Sequence, residues 1–598
     1  MHRLVLALCL LVSACEKKPS HPARDPRLGV IIVFDQLRAI DLERLRDVWG
    51  PSGFGGLEGR GGARYDARYS YAETETGPGH ATIATGANPS VHGVISNYWF
   101  SDGKPVYVIA DKTAPVLGVD PSRNQGASAR ELRAGTLGDA MKAESAGQAK
   151  VVTISTKDRA AILSGGKSAD LALWYDTTLG EFTSSRAYVE TLPAWVAGAA
   201  KLLPELSMRE GRWSPLPPPP GVQPPGDASP NEAAEVAWGD TFPHDLAALS
   251  KPEERRIAYR ASPQSMYDTF ELAKLALQEK SLGLGEDATA DLLVISISAT
   301  DYVGHGFGPL SLESFDLLRR ADQALRGFLE VLDGKLGRDG YVVAVASDHA
   351  STPLVELVQK AGVDAGRISA TTLKERIDEA LETLLAQKHP GRQAEPKSVH
   401  VVPMAQPKAA PTGGDPKPHV IAKDSTAKKP TYKFLKGFTP PHVYLDLGLF
   451  DDAVKPLAIA AARRVLEATP GIAATYTPEE LRAASYTDPW TPLFREALFD
   501  DPIAHTFRHG HILVRQVARY VFAFDDENVG TDHGTPYTFD QTVPFIIAGK
   551  GVRGGRYAQQ CDVRDVSPTL AFLLHAPRPD HAQGRAVSAV GADAPVFR

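Results

Sequence analysis

Cysteine is nearly absent from this chain: three residues, Cys9, Cys15 and Cys561, in 598. That scarcity excludes zinc fingers and Cys-ligated zinc deaminases, which need several thiolates. Positive charge is not in excess either. Lys and Arg number 65 against 72 Asp and Glu, a formal net charge of −7. Such a balance argues against a protein built on contacts to a nucleic-acid backbone. It leaves room for a small anionic ligand, because local clusters can oppose the net charge. Long apolar runs are missing apart from "LVLALCLLVSA" near the start, which is too short to span a bilayer. What remains, 43% hydrophobic and 23% charged, is an ordinary globular composition. The length suits one large α/β core carrying insertions.

The apolar run follows Arg3 and ends in small residues, the pattern of a secretory signal. "LVSAC" resembles the bacterial lipoprotein box, which makes Cys15 the lipidated N-terminus, and Cys561 then has no thiol to pair with. Glu16 follows in place of the Asp associated with inner-membrane retention. The expected location is therefore exported, periplasmic or cell-surface, as an outer-membrane lipoprotein anchored at Cys15. The domain reading is a signal peptide over 1–14, a polar tether over 15–27 and a catalytic domain over 28–598. Insertions are expected at about 205–260, which holds the proline-dense "SPLPPPPGVQPPGDASP", and at 393–441, rich in Lys, Pro and small residues.

Five short β-branched runs read as buried parallel strands: 28–34, 149–155, 291–298, 341–347 and 543–549. Amphipathic stretches at 311–332, with Ser311 as its cap, and 373–387 read as helices. The alternation predicts an α/β fold, a largely parallel central sheet with helices on both faces and surface insertions.

Ligands of such sheets collect at the carboxyl ends of the strands. Asp35 follows the first run, Asp301 and His305 follow 291–298, Asp348 and His349 follow 341–347, and His533 lies in a Gly-flanked loop ahead of 543–549. Any one of these is a weak signal, since an Asp after a strand is commonly a helix cap. Adjacent Asp-His side chains point apart on an extended strand and can share a metal only where the strand has ended in a turn. Together they form a carboxylate–imidazole set suited to zinc, with ligands enough for two ions. The stretch "YAETETGPGHATIATG" puts Thr74 and Thr76 at the mouth of a small-residue helix. A hydroxyl there either caps the helix or, beside the positive helix terminus, attacks a bound phosphate. Lys157 and Arg159, two apart in "ISTKDRAAI", read as a cationic pair on one side of an extended segment.

"VFDQLR", "TGPGHATIATG", "PSVHGVISNYW", "TKDRAAI", "SATDYVGHGFGP", "SDHA" and "HGTPYTFDQTVP" occur in that order. This series resembles the alkaline phosphatase superfamily, and within it the phosphate-irrepressible (PafA-type) periplasmic monoesterases. The resemblance implies two zinc ions, one held by Asp35, Thr76, Asp348 and His349, the other by Asp301, His305 and His533. It makes Thr76 the nucleophile in preference to Thr74, and it makes Asn97, Lys157 and Arg159 the groups that grip phosphate. His80 and His92 fall in these motifs as supporting residues. Sulfatases share the fold but use a Cys or Ser in another context. The expected reaction is hydrolysis of small phosphate monoesters through a phosphothreonine, with no nucleic-acid partner, no membrane contact beyond Cys15, and a monomer favoured. Two rivals stand beside it: a diesterase or nucleotide pyrophosphatase on the same metals, and a catalytically silent metal-binding lipoprotein.

Overall fold

In "LGVIIVF" alternate side chains serve two different cores. Leu28, Val30, Ile32 and Phe34 enter one hydrophobic cluster, and Ile31 and Val33 the other. A strand whose two faces are both covered must be apolar throughout. In a computed structural model of the chain this run is the middle of a nine-stranded sheet. The structure describes residues 25–590 except 51–52, 102, 121, 123–124, 230, 233–237, 396, 399, 402–430, 484–487 and 524–528.

The strands, in chain order, are β1 (Leu28–Phe34), β2 (Ala63–Arg68), β3 (Val151–Ser155), β4 (Leu171–Asp176), β5 (Glu181–Thr183), β6 (Asp291–Ile297), β7 (Tyr341–Ala346), β8 (Thr542–Gly549) and β9 (Gly555–Asp562). Their spatial order is β9-β2-β8-β7-β1-β6-β3-β4-β5. The run β7-β1-β6-β3-β4 is parallel throughout. β8 is antiparallel to both its neighbours, which corrects the reading of 543–549 as a parallel strand. β5 also runs against its neighbour. β1 is flanked by β6 on one side and β7 on the other, so the strand order reverses there, the place where α/β sheets bind ligands.

Four helices position the site: α1 (Thr76–Thr85), α2 (Asp158–Gly165), α3 (Ala299–Phe307) and α4 (Leu312–Leu336). α4 starts as expected, with the Ser311 side chain accepting from Ser314 N–H. α3, α4 and the helix Pro263–Gln278 cover one face of the sheet; the helices Leu137–Glu144 and Val566–Leu573 cover the other.

Between β7 and β8 the chain builds a second, five-stranded sheet from residues 400–401, 435–439, 442–445, 512–516 and 472–476. The helices Ala370–Lys388 and Lys455–Glu467 pack on it through a separate apolar cluster that includes Leu381, Phe434, Phe438 and Ala462. Most of the sequence read as the 393–441 insertion, residues 402–430, lies outside the described residues, and 435–439 is a strand of this sheet.

Candidate active site and metal centre

β1 ends in a turn made by Gln36, which sits in the left-handed region at φ 65°. That turn leaves Asp35 at the strand end and aims Gln36 across the site: its N–H donates to Asp348 Oδ1 at 3.2 Å and its amide to Asp301 Oδ1 at 3.0 Å. A left-handed non-glycine residue costs about 1–2 kcal/mol, and here the cost is offset by holding two carboxylates in place. β7 likewise ends in a turn, tied by Ser347 Oγ donating to His349 O at 2.7 Å and by Ala350 N–H donating to Asp540 O at 2.8 Å. The turn lets Asp348 and His349 face the same point. Ligand atoms of Asp35, Asp348 and His349 all lie within 4.8 Å of one another, as do those of Asp301, His349 and His533.

Asp301 and His305 are one helical turn apart on α3, so they share a face; His305 Nε2 is 3.2 Å from Asp301 Oδ1. His533 Nε2 lies 3.8 Å from the same oxygen. His533 precedes β8 in sequence, yet it reaches the carboxyl edge because β8 runs antiparallel. Six of the residues expected at the two metal positions, Asp35, Asp348, His349, Asp301, His305 and His533, are thus brought together.

Backbone carbonyls fix the imidazoles. Nδ1 of His305 is 2.9 Å from Thr531 O, and Nδ1 of His533 is 2.7 Å from Thr74 O. A carbonyl only accepts, so the proton sits on Nδ1 and Nε2 faces the site as a ligand atom. Asp35 Oδ1, Asp348 Oδ2, His305 Nε2 and His349 Nε2 are buried and, among the described residues, make no well-formed hydrogen bond. Buried polar atoms are rarely left so, and unpaired donor atoms converging from carboxylates and imidazoles fit divalent cations.

Carboxylates and imidazoles crowd one another here and shift each other's titration. Burial raises the Asp35 carboxyl, and the neighbouring Asp301 and Asp348 raise it further. Burial acts the same way on Asp301, but Lys157 and His305 hold it well below the usual carboxylate range. At His305 and His349 burial is outweighed by the adjacent carboxylates, which push both up to about 9. His533, buried beside those two rings, is held well below the ordinary value.

Thr76 opens α1 and is buried. It does not cap the helix: the cap position belongs to Glu75, whose side chain makes no capping bond. Instead Thr76 Oγ1 meets Lys157 Nζ at 3.2 Å and Arg159 Nη2 at 3.4 Å. These two converge because α2 begins at Asp158, placing Lys157 at its cap and Arg159 in its first turn. That replaces the extended-segment argument for the pair. Lys157 Nζ also lies 2.5 Å from Asp35 Oδ2 and 2.7 Å from Asp301 Oδ2. Asn97 Oδ1 accepts from Gly77 N–H at 2.8 Å, which leaves its amide N–H groups as donors.

The glycines of "TGPGH" have separate reasons. A Cβ on Gly79 would lie 2.2 Å from Asp348 O, and one on Gly77 2.8 Å from Asn97 Oδ1. Only glycine lets α1 come this close to both. His80 bridges Thr76 O at 2.9 Å and Ser296 Oγ at 2.9 Å, and its Nδ1 lies 3.2 Å from Asp348 Oδ2. His92 packs against Thr82 Oγ1 at 3.1 Å, with burial pushing its ring down to about 3. His80 thus contacts a carboxylate of the site, and His92 contacts α1. Sequence reasoning missed Gln36 and also Asp532, which lies in a third metal-capable group with His305 and His533. Only the run "TDH" could have pointed to Asp532.

This strand-edge assembly on a mixed α/β sheet defines an alkaline-phosphatase-like phosphoesterase. The chain belongs to the type I phosphodiesterase / nucleotide pyrophosphatase family, whose sequence model matches residues 30–402. Alkaline phosphatase PhoV of Synechococcus elongatus is 35% identical over 333 residues, 55% of this chain and 59% of PhoV, so the match spans less than two thirds of that relative. Alkaline phosphatase PafA of Elizabethkingia meningoseptica is 28% identical over 577 residues, 94% of each chain. Alkaline phosphatase PhoK of a Sphingomonas species is 28% identical over 579 residues, 95% of this chain and 92% of PhoK. The crystal structure of wild-type PafA superposes with a TM-score of 0.78 at 24% identity, over 95% of this chain and 100% of that one, which shows the shared fold.

Proposed function

We propose that the chain is a phosphomonoesterase that passes the phosphoryl group through Thr76. The observation that carries this reading is the pair of cations, Lys157 Nζ and Arg159 Nη2, within 3.4 Å of Thr76 Oγ1. A hydroxyl so placed faces an anion on the atom it would attack. Thr76 Oγ1 gives its proton to solvent as it attacks phosphorus, and the ester oxygen leaves opposite and takes a proton from solvent. Water then attacks the phosphothreonine, losing a proton to solvent, and Thr76 Oγ1 leaves with a proton as inorganic phosphate is released. Lys157, the Arg159 fork and the Asn97 amide hold the non-bridging oxygens through attack and departure. Two divalent ions, zinc by the donor mix, would be held by Asp35, Thr76, Asp348 and His349 and by Asp301, His305 and His533, and when bound they supply charge that acidifies a coordinated hydroxyl and neutralises the phosphoryl oxygens.

A monoester dianion offers three non-bridging oxygens to these donors and a diester monoanion only two. The family description favours a second reading, turnover of diesters or nucleotide pyrophosphates. Rates on an aryl monoester and on the bis-ester of the same leaving group separate the two. The monoester should be faster, and Lys157→Ala with Arg159→Ala should cost it more; faster diester turnover would sink the first reading.

We also propose export with a lipid anchor at Cys15. Cys15 lies outside the described residues, and among the described residues no helix is long and apolar enough to cross a membrane. Cys15→Ala should move the protein from the membrane fraction to the soluble one; unchanged fractionation would contradict the anchor.

A further inference from the structure

Glu75 is buried one residue before the nucleophile. It occupies the cap position of α1, where a carboxylate ordinarily accepts from the first turn of the helix, yet it makes no such bond. Its Oε2 accepts instead from Asn97 N–H at 2.8 Å and from Ser96 Oγ at 2.9 Å. On the other side of Thr76, Gly77 N–H donates to Asn97 Oδ1 at 2.8 Å. The residues before and after Thr76 therefore grip Asn97 at two points, its backbone N–H and its amide oxygen. With that oxygen engaged, what Asn97 presents is its NH₂, the donor a phosphoryl oxygen requires. Burying a carboxylate is costly unless its bonds are worth keeping, and both bonds made by Glu75 go to the 96–97 turn.

We infer that Glu75 is a positioning residue of the phosphate site: it fixes the 96–97 turn so that Asn97 directs its NH₂ at a phosphoryl oxygen held beside Thr76. This rests on the reading of Thr76 and Asn97 as a phosphate site and adds the group that sets their geometry.

The test is a double-mutant cycle on the full-length, metal-loaded protein, with kcat/KM on an aryl monoester and calorimetric binding of inorganic phosphate as the two readouts. Asn97→Ala should cost about 100-fold in kcat/KM, the loss typical of one oxyanion donor. Glu75→Ala should cost about 10-fold in the wild-type background through a misplaced donor and nothing further in the Asn97→Ala background. Phosphate affinity should follow the same pattern. Glu75→Gln, whose amide oxygen can accept the same two bonds, should restore most of the loss. Should Glu75→Ala not fold, Glu75→Asp, one methylene shorter, replaces it with the same expectation. Glu75 and Asn97 effects that simply add would overturn the inference alone, and so would a Glu75 variant indistinguishable from wild type. A wild-type protein that binds no phosphate and turns over no monoester would overturn the phosphate-site reading and this inference with it.

Discussion

Thr74 accepts a hydrogen bond at its carbonyl oxygen from His533 Nδ1 at 2.7 Å, so the segment that carries the nucleophile also orients a ring of the metal centre. Its side chain does something different: Thr74 Oγ1 is buried without a hydrogen-bond partner among the described residues. Glu73, next to it, reaches His442 of the second sheet at 2.9 Å. The four residues "ETET" thus contact the second sheet, the metal centre, the 96–97 turn and the substrate site in succession.

That division of labour separates the two threonines. Thr74→Val keeps the carbonyl and the shape while removing an unsatisfied buried hydroxyl, a group whose burial costs about 1–3 kcal/mol. Turnover should stay near wild type and the melting temperature should rise. A Thr74→Val protein that folds but has lost its activity would assign the chemistry to Thr74.

Gly79→Ala tests the approach of α1 to the metal centre. The added Cβ would meet Asp348 backbone at 2.2 Å, and backbone cannot swing aside. Overpacking of this kind costs about 1–3 kcal/mol, and a displacement of about 1 Å at a reacting group can cost 100-fold in rate. Both a lower melting temperature and a fall in kcat of at least about 10-fold are expected. A stable variant with unchanged kcat would show that this contact does not position Thr76.

Metal removal should destabilise the fold as well as stop the reaction. Asp35, Asp301 and Asp348 are all buried around one point, where Lys157 and the imidazoles are the neighbouring cations and Gln36 a neutral donor. A ligand at about 1,000 times its dissociation constant stabilises by about 4 kcal/mol. Chelation should lower the melting temperature by several degrees and zinc should restore it. No thermal response to either would contradict a metal centre at these residues.

Asp322 on α4 accepts from Phe54 N–H at 2.7 Å, and burial pushes its carboxyl up to about 7. Because the folded value exceeds the unfolded one, the stability it contributes is fully present below about pH 4 and is lost as the pH rises through about 7. Asp322→Asn keeps an acceptor and removes the charge. It should raise the melting temperature at about pH 9 and change little at about pH 4. Equal effects at both values would contradict the assignment.

β1, β6, β7 and α4 could be read directly because apolar runs covered on both faces, and an apolar stripe behind a serine cap, leave unambiguous patterns. The strand-end residues Asp35, Asp301, Asp348 and His349 could be read with them, since their positions follow from where the strands stop. The direction of β8 could not, because pairing sense depends on neighbours far away in sequence. Nor could β2 and β9, where Arg64, Asp66 and Arg556 interrupt the apolar pattern toward the sheet edge. Gln36 and Glu75 escaped notice for a related reason. Their partners, Asp301 and Asn97, lie 265 and 22 residues away, and no local pattern marks a side chain whose task is to hold another.

Everything proposed for the reaction turns on Thr76 carrying the phosphoryl group. The most direct measurement is acid quench of the metal-loaded protein during turnover of an aryl monoester, followed by peptide mass spectrometry. One phosphoryl group is expected on the peptide containing Thr76, confined to that residue, and it should be lost together with turnover in Thr76→Ala. Sustained turnover by Thr76→Ala, or a phosphoryl group found on another side chain, would contradict it.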